Sequence, residues 1–541
     1  MVEQILKRLA KLESSKQIWS EHWQEILDYV MPRKAEVTTQ YARGAKRTSK
    51  LYDSTAIHSN TLLAASLQGT LTSASLPWFH LKVMDENLNL RRDVSVWLED
   101  CRNRMYKAFN SSNFNTEVHE FYLDITSIGT ACLEVEEIEE TGAFSFRSLH
   151  ISEYFVTEGH HGDIDTVYRS FEYTARQAYQ KWGDAIGVKV MEAYREDPDK
   201  KFTFIHCVMP SSEYQGEAKT KLPFISTYIG KEDKNIVGEG GYNELPYLVT
   251  RWSKASGEEY GRSPAYNALP DIKTLNKAVE LGLVAWAKAI DPPLTVEDDG
   301  VIGRVVTKPG GITTVRRDGA IRELGSGARF DVSDMKESEL RASIKQAFFS
   351  DQLELQSGPQ MTATEVQVRY ELMQRLLGPT LGRFQTEFLN PLIERCFNIM
   401  QRNEMFLEAP ESLNGVKVDI EYVGPLARSQ RMEEAVAVER LYEMAGMMAQ
   451  IAPEIMDNLD HDAAIRSRAE LLGVPKNIMK DPRQVDAQRQ QRMQQQQQQM
   501  EMQQAQQAVS TASQAMPMLG KENVESTQAG MEQIAEAMGG G

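Results

Sequence analysis

Hydrophobic positions along the chain change period several times, and each change marks an element. Residues 1–30 carry Ile5, Leu9 and Leu12, then Ile18, Trp19, Trp23, Ile26, Leu27 and Val30. That spacing predicts one amphipathic helix, ended by Pro32. Further helices are predicted over 54–72, before an apolar turn Leu76-Pro77-Trp78-Phe79, and over 94–128 around Trp97, Met105, Phe109, Phe121 and Ile125. From Gly129 to Pro246 the pattern becomes short β-prone runs at 132–135, 144–146, 166–173, 202–208 and 224–229. A helix over 175–182 interrupts them, so the region is mixed α+β.

The most informative stretch is 256–401. Ser263-Pro264 is an N-cap followed by a proline suited to the first helical position. The helix it opens has the seam Ile272, Leu275, Val279, Leu283, Trp286, Ile290 and stops at Pro292-Pro293. Strand-like pieces at 301–306 and 312–315 follow, separated by Pro309-Gly310-Gly311 and Asp318-Gly319. A second helix is expected from Asp334, with Glu337 completing a capping box and Leu340, Ile344 and Phe348 on one face. The arrangement reads as a rod with a small β-tip that reaches out of a body. A loop with Gly358-Pro359 then leads to a third helix from Thr362, whose seam runs Val366, Tyr370, Met373, Leu377, Leu381, Phe384, Phe388, Leu392. Pro379 and Pro391 fall inside it and predict kinks. A strand over 416–423 precedes a helical region to about 479, with Met444, Met447 and Met448 enriching one face as a pliable packing surface. Thirteen glutamines in the twenty positions 488–507 suit either a polar helix or low-complexity disorder, and the end beyond Val509 reads as a mobile tail.

Composition narrows the classes. The 541 residues allow two to four domains, and the formal charge of −17 argues against a general nucleic-acid binder. Cys101, Cys132, Cys207 and Cys396 lack paired spacing, which predicts reduced thiols and neither a disulfide framework nor a zinc site. The N-terminus lacks a signal-peptide core, and no apolar run reaches the roughly 18 residues needed to span a membrane, so a soluble intracellular product is expected. Gly230-Lys231-Glu232 lacks the hydroxyl and upstream glycine of a phosphate loop, and Gly325-Ser326-Gly327 is a lone fragment. His160-His161 with Asp163 and Asp165 reads as a solvated loop, not a metal site. No nucleophile elbow is present, and the expectation is that the chain is not an enzyme and uses no cofactor or metal. Charge is more telling at the tip. Residues 301–330 hold Arg304, Lys308, Arg316, Arg317, Arg322 and Arg329 against only Asp318 and Glu323. That excess suits either a solvated tip or a contact face for an acidic partner or passing phosphate backbone. A second basic loop spans 33–50.

Residues spread along the chain carry a resemblance to a known family. They are Trp19, Trp23, Tyr29-Val30 and Pro32; Leu51-Tyr52-Asp53-Ser54-Thr55; Leu71-Thr72-Ser73 through Pro77-Trp78-Phe79; and Tyr260-Gly261-Arg262-Ser263-Pro264. Later come Met361-Thr362-Ala363-Thr364-Glu365-Val366, Gly378-Pro379, Glu387 to Ile393, and Val418 to Tyr422 with Pro425-Leu426-Ala427 and Gln430. Their order and spacing over about 15–480 resemble the head-to-tail connector, or portal, proteins of short-tailed (podovirus) bacteriophages.

The resemblance implies a mainly helical, mixed α+β subunit with wing, stem, clip and crown, and a C-terminal helical barrel or tail. On that pattern the wing covers 1–255 and the first stem helix 256–290. The clip covers 291–333, the second stem helix 334–351 and the tunnel loop 352–361, with Gln356, Ser357, Gly358, Pro359 and Gln360 at the narrowest passage. A kinked helix and strand span 362–426, the crown 427–480, and a glutamine-rich barrel helix and tail 481–541. The implied assembly is a ring, usually of twelve subunits, at one capsid vertex of the virion, made in the host bacterial cytoplasm. Its implied partners are major capsid and scaffolding proteins, terminase, tail adaptor and nozzle proteins, and double-stranded DNA passing without sequence specificity, with no membrane. The competing expectation is another virion structural, core or adaptor protein without a DNA channel.

Overall fold

Helix α1 (Val2–Val30) forms as its periodicity predicts and buries Ile5, Leu9, Trp23, Ile26, Leu27 and Val30, while Ile18, expected on the same seam, is 81% exposed. The computed structural model describes residues 1–74, 77–89, 91–138, 142–214, 220–308, 311–323, 330–353, 377–413, 418–422, 425–450, 452–471, 478–480 and 482–515. The chain divides into two units, one of Met1–Leu90 with Trp97–Gln430, the other of Arg91–Val96 with Arg431–Gly541.

In the first unit α2 (Thr55–Leu71) is followed by strand β1 (Phe79–Val83), so Phe79 starts a strand where a turn was expected. Helices α3 (Glu86–Asn89), α4 (Arg92–Ser111) and α5 (Phe114–Ser127) come next, the last two separated at Ser112-Asn113 within the stretch read as helical. The β-prone region then builds two antiparallel sheets. Strands β2 (Thr130–Ile138) and β3 (Ala143–Leu149) join β9 (Tyr247–Arg251) in the order β3-β2-β9. Strands β4 (Tyr154–Glu158), β5 (Ile164–Thr174), β6 (Lys201–Pro210), β7 (Phe224–Gly230) and β8 (Asn235–Tyr242) form a five-stranded meander. Helices α6 (Ala175–Trp182), opened by a Thr174/Gln177 capping box, and α7 (Val188–Glu196) cover one sheet face through Ala178, Val190 and Ala193 against Phe171, Phe204 and Val237. The start of α1 covers Tyr168, Ile205, Cys207 and Ile229 with Ile5 and Leu9. Alternating strand residues thus meet apolar layers on both sides, which the aromatic-rich runs foreshadowed.

Helix α8 (Pro264–Ile290) leaves this body, and α9 (Phe330–Ala347) returns to it, followed by α10 (Ser350–Leu353). Between them β10 (Leu294–Val296) pairs with β13 (Ile321–Glu323), and β11 (Val301–Ile302) with β12 (Thr314–Val315), all antiparallel. The tip strands are therefore shorter than the β-prone runs, and the β10–β13 pair was not foreseen. Helix α9 starts at Phe330, four positions before the expected Asp334, so the Asp334/Glu337 box lies inside the helix and Glu337 instead pairs with Arg341 at 3.2 Å.

Residues 377–384 are helical, 385–389 make a π turn, and α11 (Asn390–Arg402) continues. Pro391 supplies the cause. It has no N–H and crowds the preceding carbonyls, so the helix widens just before it. The expected start of this helix at Thr362, with Val366, Tyr370 and Met373, lies outside the described residues. Strand β14 (Val418–Tyr422) pairs antiparallel with β1, Phe79 opposite Tyr422.

Helix α12 (Pro425–Ala449) carries the chain into the second unit, which also holds α13 (His461–Leu471) and α14 (Pro482–Ala515). The glutamine-rich segment is therefore helical through Ala515. Met444, Met447 and Met448 are exposed on α12.

Candidate functional site

The base of the rod is fixed by close backbone packing. Gly129 has φ +92°, and a Cβ there would lie 2.6 Å from the Ser263 nitrogen, so this junction of α5, β2 and α8 needs glycine. The Gly261 N–H donates to Thr130 Oγ1 at 2.8 Å, and the Ser263 hydroxyl to the Ser127 carbonyl at 2.6 Å. Ser263 Oγ also accepts from the Tyr266 N–H at 3.1 Å, the cap that the sequence predicted. The Tyr52 and Asp53 N–H groups donate to Asn276 Oδ1 at 2.9 and 3.2 Å. Asp53 in turn accepts from the Thr55 N–H at 2.8 Å and from Arg341 Nε at 2.9 Å. Burial opposes ionisation of Asp53, but the bonds from Thr55 and Arg341 prevail and hold its carboxyl below the usual range. The Ser343 hydroxyl donates to Asp271 at 2.7 Å, and Gly282 lies beside Glu337, so α8 and α9 run antiparallel.

The seam of α8 divides along its length. Ile272 and Leu275 are buried, Val279 is intermediate, and Leu283, Trp286 and Ile290 are exposed beside Leu281 and Val284. Trp286 is 58% and Ile290 64% exposed. A fully buried side chain of this kind is stabilised by about 1.5–3 kcal/mol, so this end of the helix leaves a large apolar surface in water.

At the tip, Arg304, Lys308 and Arg316 are exposed. Arg317 pairs with Glu297 and lies 4.0 Å from Asp299, while Arg322 Nε donates to the Gly319 carbonyl at 3.3 Å. The cationic excess counted over 301–330 is thus partly offset by the acidic turn at 297–299, which the fold brings alongside. Gly319, at φ +81°, makes the turn before β13. Arg329, Gln356, Ser357, Gly358, Pro359 and Gln360 lie outside the described residues, as does Gly325-Ser326-Gly327.

The second basic loop is largely occupied within the fold. Arg33 pairs with Glu120 at 2.8 Å and Lys34 with Asp124 at 2.7 Å, Arg47 pairs with Glu36 and Lys50 with Asp28, while Arg43 and Lys46 are exposed.

Arg251 and Lys16 are among the buried charges that escaped sequence reading. Arg251, at the end of β9, donates its backbone N–H to Glu387 at 2.9 Å and its Nη2 to the same carboxylate at 2.7 Å, and its Nη1 pairs with Glu158. Glu387 sits in the π turn, so this junction pins the widened helix to the three-stranded sheet. A lone arginine ending an otherwise uncharged strand was the only signal. Lys16 is fully enclosed, bonded to the Ile151 and Tyr154 carbonyls, with its ammonium 4.2 Å from the Phe155 ring centre. Burial pulls its pKa down to about 7, against the opposing fields of Glu13 and Glu153.

His160 and His161 lie exposed in the β4–β5 turn with Asp163, and among the described residues no group of three His, Cys, Asp or Glu side chains is arranged to hold a metal. All four cysteines are free and buried, and burial pushes the Cys101 and Cys207 thiols up to about 12. No described helix is long and apolar enough to cross a membrane.

The family described as bacteriophage head to tail connecting protein matches residues 2–479. The chain is 31% identical over 509 residues to the probable portal protein of Bordetella phage BPP-1, covering 90% of each. It is 28% identical over 510 residues to the portal protein of Salmonella phage epsilon15, covering 91% of each. Among solved structures, a chain from the virion of a native gene transfer agent particle aligns at TM-score 0.34 and 14% identity, over 83% of this chain and 99% of that one. The chain therefore belongs to the family of bacteriophage head-to-tail connecting, or portal, proteins.

Proposed function

We propose that this portal-family chain closes with identical copies into a ring at one capsid vertex, forming the conduit through which double-stranded DNA enters and leaves the head. The observation that carries the reading is the divided seam of α8. Leu283, Trp286 and Ile290 share a stripe with buried Ile272 and Leu275 yet are half or more exposed among the described residues. Side-by-side packing of identical rods supplies cover for them, since helix ridges fit grooves on a neighbour and a repeated head-to-tail contact closes into a ring. In this reading α8 and α9 are the stem, residues 291–333 the clip and 352–361 the tunnel loop. The region up to 255 builds most of the wing, and 427–480 the crown. The exposed Arg304, Lys308 and Arg316 offer a docking face for an acidic surface of the packaging terminase and later of tail adaptor proteins.

Charge suits a conduit better than a grip. Twelve copies at −17 each carry on the order of 200 negative charges, which repel the duplex within a screening length of about 8–10 Å. Many cationic contacts would instead hold DNA tightly and in a salt-dependent manner. Movement then draws its energy from a separate packaging motor.

Native mass measurement with negative-stain imaging tests the reading. The purified chain is expected as one discrete annular species with a hole of duplex width, and the pair Leu283→Glu with Trp286→Glu as subunits of unchanged thermal stability. Only monomers of the unaltered chain, in every buffer tried, would remove it.

A further inference from the structure

The outer end of α8, from Leu281 to Ile290, holds a single charged residue, Lys288. A helix that is apolar all round is ordinarily enclosed on every side. Within its own chain this end is covered along one stripe. Gly282 and Ala285 are half-buried there, and a Cβ on Gly282 would lie 3.6 Å from the Glu337 carboxylate of α9. The other eight residues from 281 to 290 are exposed.

Helical geometry sorts those eight into flanks. At about 100° per residue, Leu283, Trp286 and Ile290 centre about 100° to one side of the Gly282/Ala285 stripe. Leu281 and Val284 centre about 100° to the other side. The direction opposite α9 holds Ala287 and Glu280 and suits solvent. The first flank carries no charge and prolongs the seam of Ile272 and Leu275. On the second flank Lys277 pairs with Glu280 at 2.9 Å. The Lys288 stem can lie along apolar surface there with its ammonium in water. The rod therefore has two unlike apolar flanks on opposite sides, with α9 between them at the back.

We infer that Leu283, Trp286 and Ile290 are covered by the opposite flank, Leu281 and Val284, of α8 in an adjacent copy of this chain. The inference rests on the annular reading above and adds to it the surfaces that meet. A rod with one apolar flank closes a pair and stops there. A rod with two unlike flanks takes a neighbour on each, and the contact repeats around the assembly. Copies in a closed ring stand at one height, and Leu281 and Val284 lie within about 3 Å of Leu283 along the helix axis, so these side chains face one another across the joint. A foreign partner would have to match each flank separately, with one lysine to recognise. A second copy matches both by presenting each flank to the other.

The test is Leu281→Cys with Leu283→Cys, oxidised with copper phenanthroline as the native oligomer and resolved on a non-reducing gel. A ladder of linked subunits running beyond two is expected, and none from the unaltered chain, whose four cysteines are buried. Each single variant has a new thiol on one flank only and should stay unlinked. Linked pairs from Leu283→Cys alone would reveal a like-to-like contact and overturn the inference. So would an unlinked double variant in an oligomer of the parent's mass. Inserted charge gives an independent measurement by native mass. Leu281→Glu with Val284→Glu should yield lone subunits, as should Leu283→Glu with Trp286→Glu. An equimolar mixture of these two proteins should yield a species of two subunits, because each keeps the flank that the other has lost. Full-size oligomers from Leu281→Glu with Val284→Glu, or no pairing in the mixture, would overturn the inference and leave the ring standing. Monomers from the unaltered chain would remove the annular reading and the inference with it.

Discussion

Asp53 accepts a hydrogen bond from Arg341 at 2.9 Å across 288 positions of sequence, joining the segment before α2 to the returning helix of the rod. Removing the carboxylate with Asp53→Asn leaves the bond to Thr55 weakened and Arg341 partnered only by Glu337. A loss of about 1–2 kcal/mol is expected, kept low because the Arg341 side chain is 38% exposed. The folded carboxyl titrates below its unfolded value near 3.8, so its contribution is complete above about pH 4 and fades as pH falls through the folded value. Chemical denaturation of both proteins at pH 7 and pH 3 measures this, and a difference that persists undiminished at pH 3 contradicts it.

Lys16 gives a slope of the same sign in a higher pH window. Its folded pKa near 7 lies below the unfolded value of 10.5, so between these the unfolded chain holds a proton that the native chain has released. Stability should therefore fall as pH drops from about 10.5 to 7, by up to about 1.4 kcal/mol per pH unit from this group, and then level off. The urea midpoint of Lys16→Met relative to the parent should fall steadily between pH 7 and 10, because only the parent gains from deprotonation. Parallel profiles would show that the amine is not held in its neutral form.

Glu387→Gln is expected to cost about 2–4 kcal/mol, since it strips one of two carboxylates from a guanidinium that is 2% exposed. The double change Arg251→Met with Glu387→Leu should cost less than the sum of the single changes, because it removes the buried charge together with its partner. Thermal melts of the four proteins close the cycle, and simple additivity would mean that the contact has no energetic weight.

At the tip, Arg304→Glu with Arg316→Glu should leave the native oligomer unchanged and impair DNA packaging or tail joining. Arg317 is a poor choice for this experiment, because reversing it also sets a negative charge against Glu297 and Asp299. Full packaging and tail attachment in the double variant would count against a docking role for these residues.

Much of this architecture is legible from periodicity alone. Helix α8 begins at the Ser263-Pro264 signal and α6 spans the residues its pattern marks, because caps and apolar spacing act within one or two turns. The β4, β8 and β9 strands are harder to see, since Gly238, Gly240 and Gly241 in β8 break any alternation. The early start of α9 shows the limit of a capping box, which the pattern Asp334 to Glu337 satisfies inside a continuing helix. Partners of long sequence separation leave still less trace. The acidic neighbours of Arg317 precede the stretch over which its charge excess was counted, and the Arg251–Glu387 pair spans 136 positions. Folding, not local spacing, brings them together.

The π turn at 385–389 inserts one residue into a continuous coil, which advances the phase of everything after it by about 100°. Phe384 before the turn meets Tyr122 and Trp252, while α11 beyond it presents Arg395 to the Val135 and Glu244 carbonyls. The two ends of one helix are thereby indexed to different surroundings. Deleting a single residue between them would restore an ordinary pitch and put one set of contacts out of step, whichever end stayed in place.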